Sequence, residues 1–237
     1  MSGKNTQWLI ADYHRKFKPW LILLFLSSSL LSKTSAQDKT LFIDFTNGWT
    51  AAWEMKQLHR RPNRFSIAGE NGNRVLKVFS SSSASGIFRK FEIEPLASGT
   101  ISWKWKVSTS LEKNNKERTR AGDDYAARVF LLFEPHFFSW RIPNICYVWA
   151  GNEAVGSTFK SPHIASVCTI VLQQGNKNSM KWLQEERDFV ADYVKCFRKN
   201  PRKLSAVAIM ADTDDTGGAT TAWFDDLRVT VKVRAAR

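Results

Sequence analysis

The sequence predicts an all-β protein, a two-sheet antiparallel jelly-roll sandwich with one surface helix. Short runs of β-branched and aromatic residues recur along the chain and are separated by turn signals such as Asn47-Gly48 and Gly175-Asn176. One run, residues 101–107, alternates strictly, with Trp103 and Trp105 on the apolar side, as expected for a strand with one face on a core. Ten or so such runs with frequent turns are typical of a β-sandwich.

The N-terminus has the pattern of a secretory signal peptide. Arg15, Lys16 and Lys18 precede an apolar run over residues 19–31, and small residues up to Ala36 suit a signal peptidase. Because the apolar run is short for a membrane-spanning helix, we predict cleavage after Ala36 and no stable membrane insertion afterwards. Residues 1–36 are thus predicted to be a signal peptide, and residues 38–233 a single exported domain, periplasmic or extracellular.

The chain is basic, with a net charge of +13. Removal of residues 1–36 leaves 30 basic and 21 acidic residues, a net charge of +9. The basic residues cluster in predicted loops, at residues 59–64, 113–120 and 198–203, rather than beside an aromatic stacking surface. This distribution favours a solvated loop surface and allows weak attraction to an anionic polysaccharide or an acidic membrane surface, whereas the predicted export disfavours nucleic acid as a partner.

Three cysteines, Cys146, Cys168 and Cys196, follow the predicted cleavage point. Cys146 and Cys168 lie in apolar strand-like runs and could pair in an oxidising compartment, which would leave Cys196 free. Three buried free thiols are the alternative. No Cys/His spacing typical of a zinc site is present.

Residues 122–133 form the most unusual run, a buried-strand pattern that contains Asp123, Asp124 and Arg128. In an extended strand Asp124 and Arg128 share one face, with the small Ala126 between them. They could line a concave surface on which a carboxylate and a guanidinium bind sugar hydroxyls. The alternative is a buried Asp–Arg pair that stabilises the sandwich.

A second acidic group, Asp212, Asp214 and Asp215, lies in a Thr- and Gly-rich turn. Several carboxylates in a small space suit a hard cation such as calcium, although Asp-rich turns also form without one. If this turn meets the start of the 122–133 run, the two groups form one acidic site.

Aromatic residues near strand ends are candidates for stacking on a sugar. The candidate stacking residues are Trp140, Trp149 and Trp223. For each of them, packing in the core is the alternative. Helical spacing of apolar residues from Trp182 to Phe197, with Glu185 and Glu186 in the first turns and Asn200-Pro201 after the end, predicts the one helix.

The order of several motifs resembles a family of exported bacterial proteins catalogued as domain of unknown function three-zero-four-seven. The motifs are Gly122-Asp123-Asp124-Tyr125-Ala126-Ala127-Arg128-Val129, Tyr147-Val148-Trp149, Ala208-Ile209-Met210-Ala211-Asp212-Thr213-Asp214 and Ala222-Trp223-Phe224-Asp225-Asp226. The resemblance implies a jelly roll like those of carbohydrate-binding modules and implies no activity. The first and last strands also resemble galactose-binding-like sandwiches, which implies a structural calcium near Asp44 and Asp226.

These observations favour a module that binds a carbohydrate or a cell-envelope glycan, with a structural calcium as the only candidate cofactor. A glycan-active hydrolase or lyase that uses a carboxylate pair, Asp124 with Asp212 or Glu185, is the second hypothesis. A structural envelope protein without a small ligand is the third. Ser/His and Cys/His hydrolases are disfavoured because no histidine accompanies a recognisable nucleophile.

Overall fold

Two β-sheets and one α-helix make up the part of the chain that the computed structural model describes, which is residues 37–49, 51–70, 72–93, 96–113, 115–133 and 143–233. The predicted signal peptide, residues 1–36, and Trp140 lie outside the described residues. The elements are β1 (Gln37–Ile43), β2 (Glu54–Gln57), β3 (Arg64–Glu70), β4 (Asn73–Ser81), β5 (Ala84–Ile93), β6 (Leu96–Val107), β7 (Ala127–Phe133), β8 (Asn144–Ala150), β9 (Thr158–Lys160), β10 (Val167–Gln174), β11 (Leu183–Asp188), α1 (Phe189–Phe197), β12 (Leu204–Asp212) and β13 (Ala219–Val233).

One sheet has six strands and the other has seven. The six-stranded sheet has the order β11-β6-β13-β4-β3, and β1 pairs with β13 next to β4 because β6 occupies the opposite edge of β13. The seven-stranded sheet has the order β2-β5-β12-β7-β8-β10-β9. The predicted two-sheet jelly roll with one helix is confirmed. One ladder departs from the antiparallel expectation, since β8 and β10 are parallel.

Aromatic side chains fill the space between the sheets. Trp103 and Trp105 of β6 are almost fully buried, as their alternation predicted, and their rings lie 5.4 and 5.8 Å from those of Tyr147 and Trp149 on β8. A smaller cluster that includes Tyr125 covers the outer face of the seven-stranded sheet. This sheet is therefore packed on both faces, which explains the continuous apolar runs of its central strands.

The predicted helix is only half as long as its apolar spacing suggested. Residues Leu183–Asp188 form β11 and pair with β6, so the placement of Glu185 and Glu186 in a helix is wrong. Asp188 begins the helix because its side chain accepts a hydrogen bond from the Ala191 N–H. Phe189 then packs where Gly99 of β6 lacks a side chain, since a Cβ there would overlap the Phe189 ring.

A disulfide joins Cys168 of β10 to Cys196 of α1. The two predicted alternatives, a Cys146–Cys168 bond and three free thiols, are therefore wrong. Cys146 lies in the outer cluster of the seven-stranded sheet, whereas Cys168 lies in the inner core. The two thiols point to opposite faces of that sheet, so they cannot meet, and Cys146 stays a buried thiol.

Candidate functional site

The acidic run at residues 122–133 is not one continuous strand. Residues Arg120–Gly122 form a 3-10 turn, and β7 begins only at Ala127. The prediction that strand alternation places Asp124 and Arg128 on one face is therefore wrong. One face of the strand is buried, and on the other face Arg128 is buried while Phe130 and Leu132 are half-buried, so the predicted burial on both faces is met only in part.

Arg128 instead joins the start of β7 to the end of β12. Its Nε donates to Oδ1 of Asp212 at 2.8 Å, and its Nη2 contacts the other Asp212 oxygen and the backbone carbonyl of Asp123. The Tyr125 N–H also donates to Asp212 Oδ1, at 2.9 Å, and the guanidinium lies 4.4 Å from the Tyr125 ring centroid. Arg128 and Asp212 are only 5% and 4% exposed, so this is a buried ion pair.

Asp124 fastens the acidic turn after β12. Its Oδ2 accepts hydrogen bonds from the backbone N–H and the hydroxyl of Thr216, both at 2.6 Å, and its Oδ1 accepts from the Asp215 N–H at 3.3 Å. The start of the 122–133 run and the turn at residues 212–216 thus meet, as the sequence suggested. Asp124 is fully buried, so its contacts are with the protein itself.

Three carboxylates at this junction lie close enough to share a cation. One oxygen each from Asp124, Asp212 and Asp214 fall within 4.8 Å of one another. Burial, together with the nearby charge of Asp124, raises the pKa of Asp212 and also that of Asp214, while Arg128 opposes the rise at Asp212. The donor set suits a hard cation. Its Asp124 and Asp212 oxygens, however, already bind protein donors, and ligand contact by this group stays a prediction.

The two tryptophans predicted to stack on sugar are both packed in the protein. Trp149 is fully buried in the core, and its indole N–H donates to the Gly175 carbonyl at 3.0 Å. Trp223 is 9% exposed on the outer face of the six-stranded sheet, with the Lys106 ammonium 4.5 Å from its ring centroid. Neither ring is open for stacking in this conformation.

The chain-end acids predicted to hold calcium differ from one another. Asp44 accepts from the Thr46 N–H, and Asp226 forms an ion pair with Lys104 at 2.7 Å. The neighbouring Asp225 is buried, and its Oδ2 accepts from Asn73 at 2.6 Å, whereas its Oδ1 has no hydrogen-bond partner among the described residues. Burial is the main cause of the raised pKa of Asp225, and the charges of Asp226 and Asp44 add to the rise, while the Asp226 backbone N–H and the charge of Lys104 oppose it. The residue that best fits a cation here is therefore Asp225.

The carboxylates proposed for a hydrolase, Asp124, Asp212 and Glu185, are hydrogen-bonded to protein groups. Asp124 and Asp212 are buried and hydrogen-bonded as described above. Glu185 Oε1 accepts from the Trp105 indole at 3.1 Å and from Gln173 at 2.7 Å, and burial raises its pKa. These contacts hold the three carboxylates in structural hydrogen bonds.

An open groove lies on the outer face of the six-stranded sheet, and Asp226 is the one predicted binding residue that lines it. We call it the polar groove. Its volume is about 440 Å³, and β1, β6, β11 and β13 supply its outward-facing side chains, which are Phe42, Thr100, Ser102, Lys104, Gln184, Glu186, Asp226, Arg228 and Thr230. Hydroxyl, amide, carboxylate and cationic groups from three strands therefore face one space, together with the Phe42 ring from β1.

The polar groove also contains an accessible aromatic ring. Phe42 is 45% exposed, and the Arg228 guanidinium lies 5.3 Å from its ring centroid. Lys104 and Asp226 neutralise each other, whereas Gln184, Glu186 and Arg228 are exposed. The alternation at residues 101–107 indicates a polar outer face. The predicted helix at residues 182–197 does not indicate that Gln184 and Glu186 lie beside it, because that position depends on the pairing of β11 with β6.

Comparison with protein families gives a match to Protein of unknown function (DUF3047) over residues 51–228. The chain belongs to this family. The resemblance inferred from the acidic and tryptophan motifs is therefore confirmed. A comparison with curated proteins found no match.

The DUF3047 protein is also similar to solved structures. Against the family 11 carbohydrate-binding module of a Clostridium thermocellum cellulase, identity is 9% over 86% of this chain and 100% of the module, with a TM-score of 0.43. Against the K3 adhesin domain of Lys-gingipain from Porphyromonas gingivalis, identity is 12% over 82% of this chain and 99% of that domain, with a TM-score of 0.45. Identities and TM-scores this low support no inference about a ligand.

Proposed function

We propose that this DUF3047 protein is an exported jelly roll that binds a carbohydrate or a cell-envelope glycan in the polar groove. The observation that carries the proposal is the convergence of polar side chains from β6, β11 and β13 around the accessible ring of Phe42 on β1. Sugars present hydroxyl groups for carboxylates, amides and guanidinium groups, and an apolar face for aromatic rings. A rigid sheet supplies both kinds of group in fixed positions.

Export is supported by the N-terminal sequence pattern and by the Cys168–Cys196 bond, because disulfides persist mainly in oxidising compartments. Among the described residues, no helix has the length and apolar character needed to cross a bilayer. The proposed place of action is the periplasm or the extracellular space.

A structural calcium is a second proposal, and the unpartnered buried oxygen of Asp225 favours it. Asp225, with Asp44 nearby, would hold the ion, which would supply the positive charge that the buried carboxylate lacks. The ion would connect the end of β1 to the bulge in β13, and it has no role in the polar groove.

The experiment for glycan binding is an array screen with the mature protein, the Phe42→Ala variant and a control, Leu58→Ala. Leu58 is also an exposed apolar side chain, and it precedes β3, away from the polar groove. We expect a defined set of glycans to bind to wild type and to the control, and to be lost from Phe42→Ala. Absence of binding to any glycan, or retention by Phe42→Ala, would contradict the proposal.

A further inference from the structure

A second open groove lies beside β3 and β4 on the same outer face of the six-stranded sheet. We call it the basic groove. Its volume is about 540 Å³, and it is lined by Arg64, Phe65, Ser66, Lys77 and Phe79. The strand register places Arg64 opposite Phe79 and Ser66 opposite Lys77, so the two cations stand on neighbouring strands.

The basic groove contains two cations and no carboxylate among its lining residues. The Arg64 guanidinium lies 4.8 Å from the Phe79 ring centroid, and no ion pair of Arg64 or Lys77 is found among the described residues. Arg64 is exposed and Lys77 is half-buried. Both charges are therefore available to an anion.

The carboxylate that could neutralise this groove is bound elsewhere. Glu70, at the end of β3, forms an ion pair with Lys106 at 2.8 Å. The hydrogen bond from Lys106 is the main cause of the lowered pKa of Glu70, and Lys77 contributes less. The charge of Glu70 is therefore compensated mainly by Lys106, which is almost fully buried. The basic groove keeps an excess of positive charge.

The basic groove and the polar groove flank the same strand. Lys77 is opposite Trp223 of β13, while Arg228 of β13 lines the polar groove. Arg228 follows Trp223 by five positions, which is at most about 16 Å because β13 has a bulge between Asp225 and Arg228. A single extended chain molecule on this face could contact both grooves.

We propose that the basic groove takes the acidic group of an anionic glycan, a uronate carboxylate or a sulfate ester, while other sugar units of the same chain occupy the polar groove. This inference rests on the proposed function. Arg64 supplies a planar fork that can bind two oxygens of such a group, Lys77 adds a second charge, and Phe79 and Ser66 supply an apolar face and a hydroxyl for the sugar. The substrate class is thus an acidic rather than a neutral polysaccharide.

The test measures binding by calorimetry to an oligogalacturonate, to its neutral methyl ester and to a sulfated dextran. The variant is Arg64→Gln with Lys77→Gln. The matched control is Lys199→Gln with Arg202→Gln, which removes one exposed lysine and one exposed arginine between α1 and β12. A third variant, Arg64→Lys, keeps the charge but removes the fork, and thermal unfolding of each variant checks its fold.

We expect wild type to bind at least one acidic probe ten or more times tighter than the methyl ester. The Arg64→Gln, Lys77→Gln variant should lose this preference, the control should keep it, and Arg64→Lys should keep part of it. The acidic probe that responds identifies the group as carboxylate or sulfate. An equal loss in the control pair, or no loss in the variant, would overturn the inference. If neutral glycans bind as tightly as acidic ones, this inference is contradicted and the proposed function stands. If no glycan binds, both the inference and the proposed function are contradicted.

Discussion

Arg128 Nε donates to Asp212 Oδ1 at 2.8 Å, and this buried pair joins two neighbouring strands of the seven-stranded sheet. The sequence offered a choice between a sugar-binding surface and a buried pair for the acids around Arg128. The observed partners are protein groups, although the pairing acid is Asp212 rather than Asp124. The motif that identifies the family therefore fastens the turn after β12 to the start of β7.

Arg128→Met should destabilise the fold by about 3–5 kcal/mol, because it leaves the buried Asp212 carboxylate without its cation. Urea unfolding monitored by tryptophan fluorescence measures the change. Adding Asp212→Asn to Arg128→Met should recover part of the loss, since the stranded charge is removed. The exposed Arg202→Met is the control and should change stability by less than about 0.5 kcal/mol. A loss under about 1 kcal/mol for Arg128→Met would show that the pair does not stabilise the sandwich.

Removal of the Cys168–Cys196 bond, by Cys196→Ser or by reduction, should lower the free energy of unfolding by about 2–4 kcal/mol, because the bond closes a loop of 28 residues. Cys146→Ala leaves the bond intact and is the comparison. Peptide mapping of the unreduced protein should show Cys168 linked to Cys196. Cys146 should react with an alkylating reagent only after unfolding, since it is buried. Detection of a Cys146–Cys168 peptide would contradict this account.

The buried Asp225 should make stability depend on pH. Because burial raises its folded-state pKa above the unfolded value, the protonated form favours the fold, and that contribution is lost as the pH rises through the folded-state pKa. Without metal, wild type should lose stability relative to Asp225→Asn as the pH rises above the unfolded-state pKa of about 4. The difference between the two curves isolates this residue from the other buried acids.

Calcium should reverse this loss if Asp225 holds the ion. Thermal unfolding at pH 7 with calcium and with a chelator should show stabilisation of wild type and none of Asp225→Asn. Asp214→Asn serves as a comparison at the other acidic cluster. Stabilisation that survives in Asp225→Asn but disappears in Asp214→Asn would move the calcium proposal to the Asp124, Asp212 and Asp214 group.

Local sequence patterns predicted the sandwich well where burial follows the strand period. Trp103 and Trp105 alternate with polar residues, of which Ser102 and Lys104 are partly exposed on the outer face, whereas Lys106 is buried against Trp223. The helix prediction is wrong at residues 183–188, which form a strand. Leu183, Glu185 and Arg187 lie on its inward face, and because two of these three residues are charged, the segment lacks the apolar alternation typical of a strand. Only pairing with β6, which is distant in sequence, decides between the two.

The candidate site was harder to predict because it depends on contacts between distant strands. The meeting of Asp124 with the turn at residues 212–216 followed from strand ends, but the selection of Asp212 by Arg128 did not. The sequence predicts a special role for Asp123, Asp124 and Asp212 because charged residues in apolar runs are unusual. The polar groove residues, such as Gln184 and Arg228, are ordinary outward-facing residues in the sequence and become a group only when β11 and β13 flank β6.

The most direct test of the central claim is a calorimetric titration of the strongest glycan from the array against wild type, Arg228→Gln and Arg202→Gln. Arg228 lines the polar groove, and Arg202 is an exposed arginine outside it. Loss of one charged hydrogen-bonding group should weaken binding by about tenfold or more in Arg228→Gln, whereas Arg202→Gln should match wild type. Equal affinities for wild type and Arg228→Gln would contradict the assignment of the glycan to the polar groove.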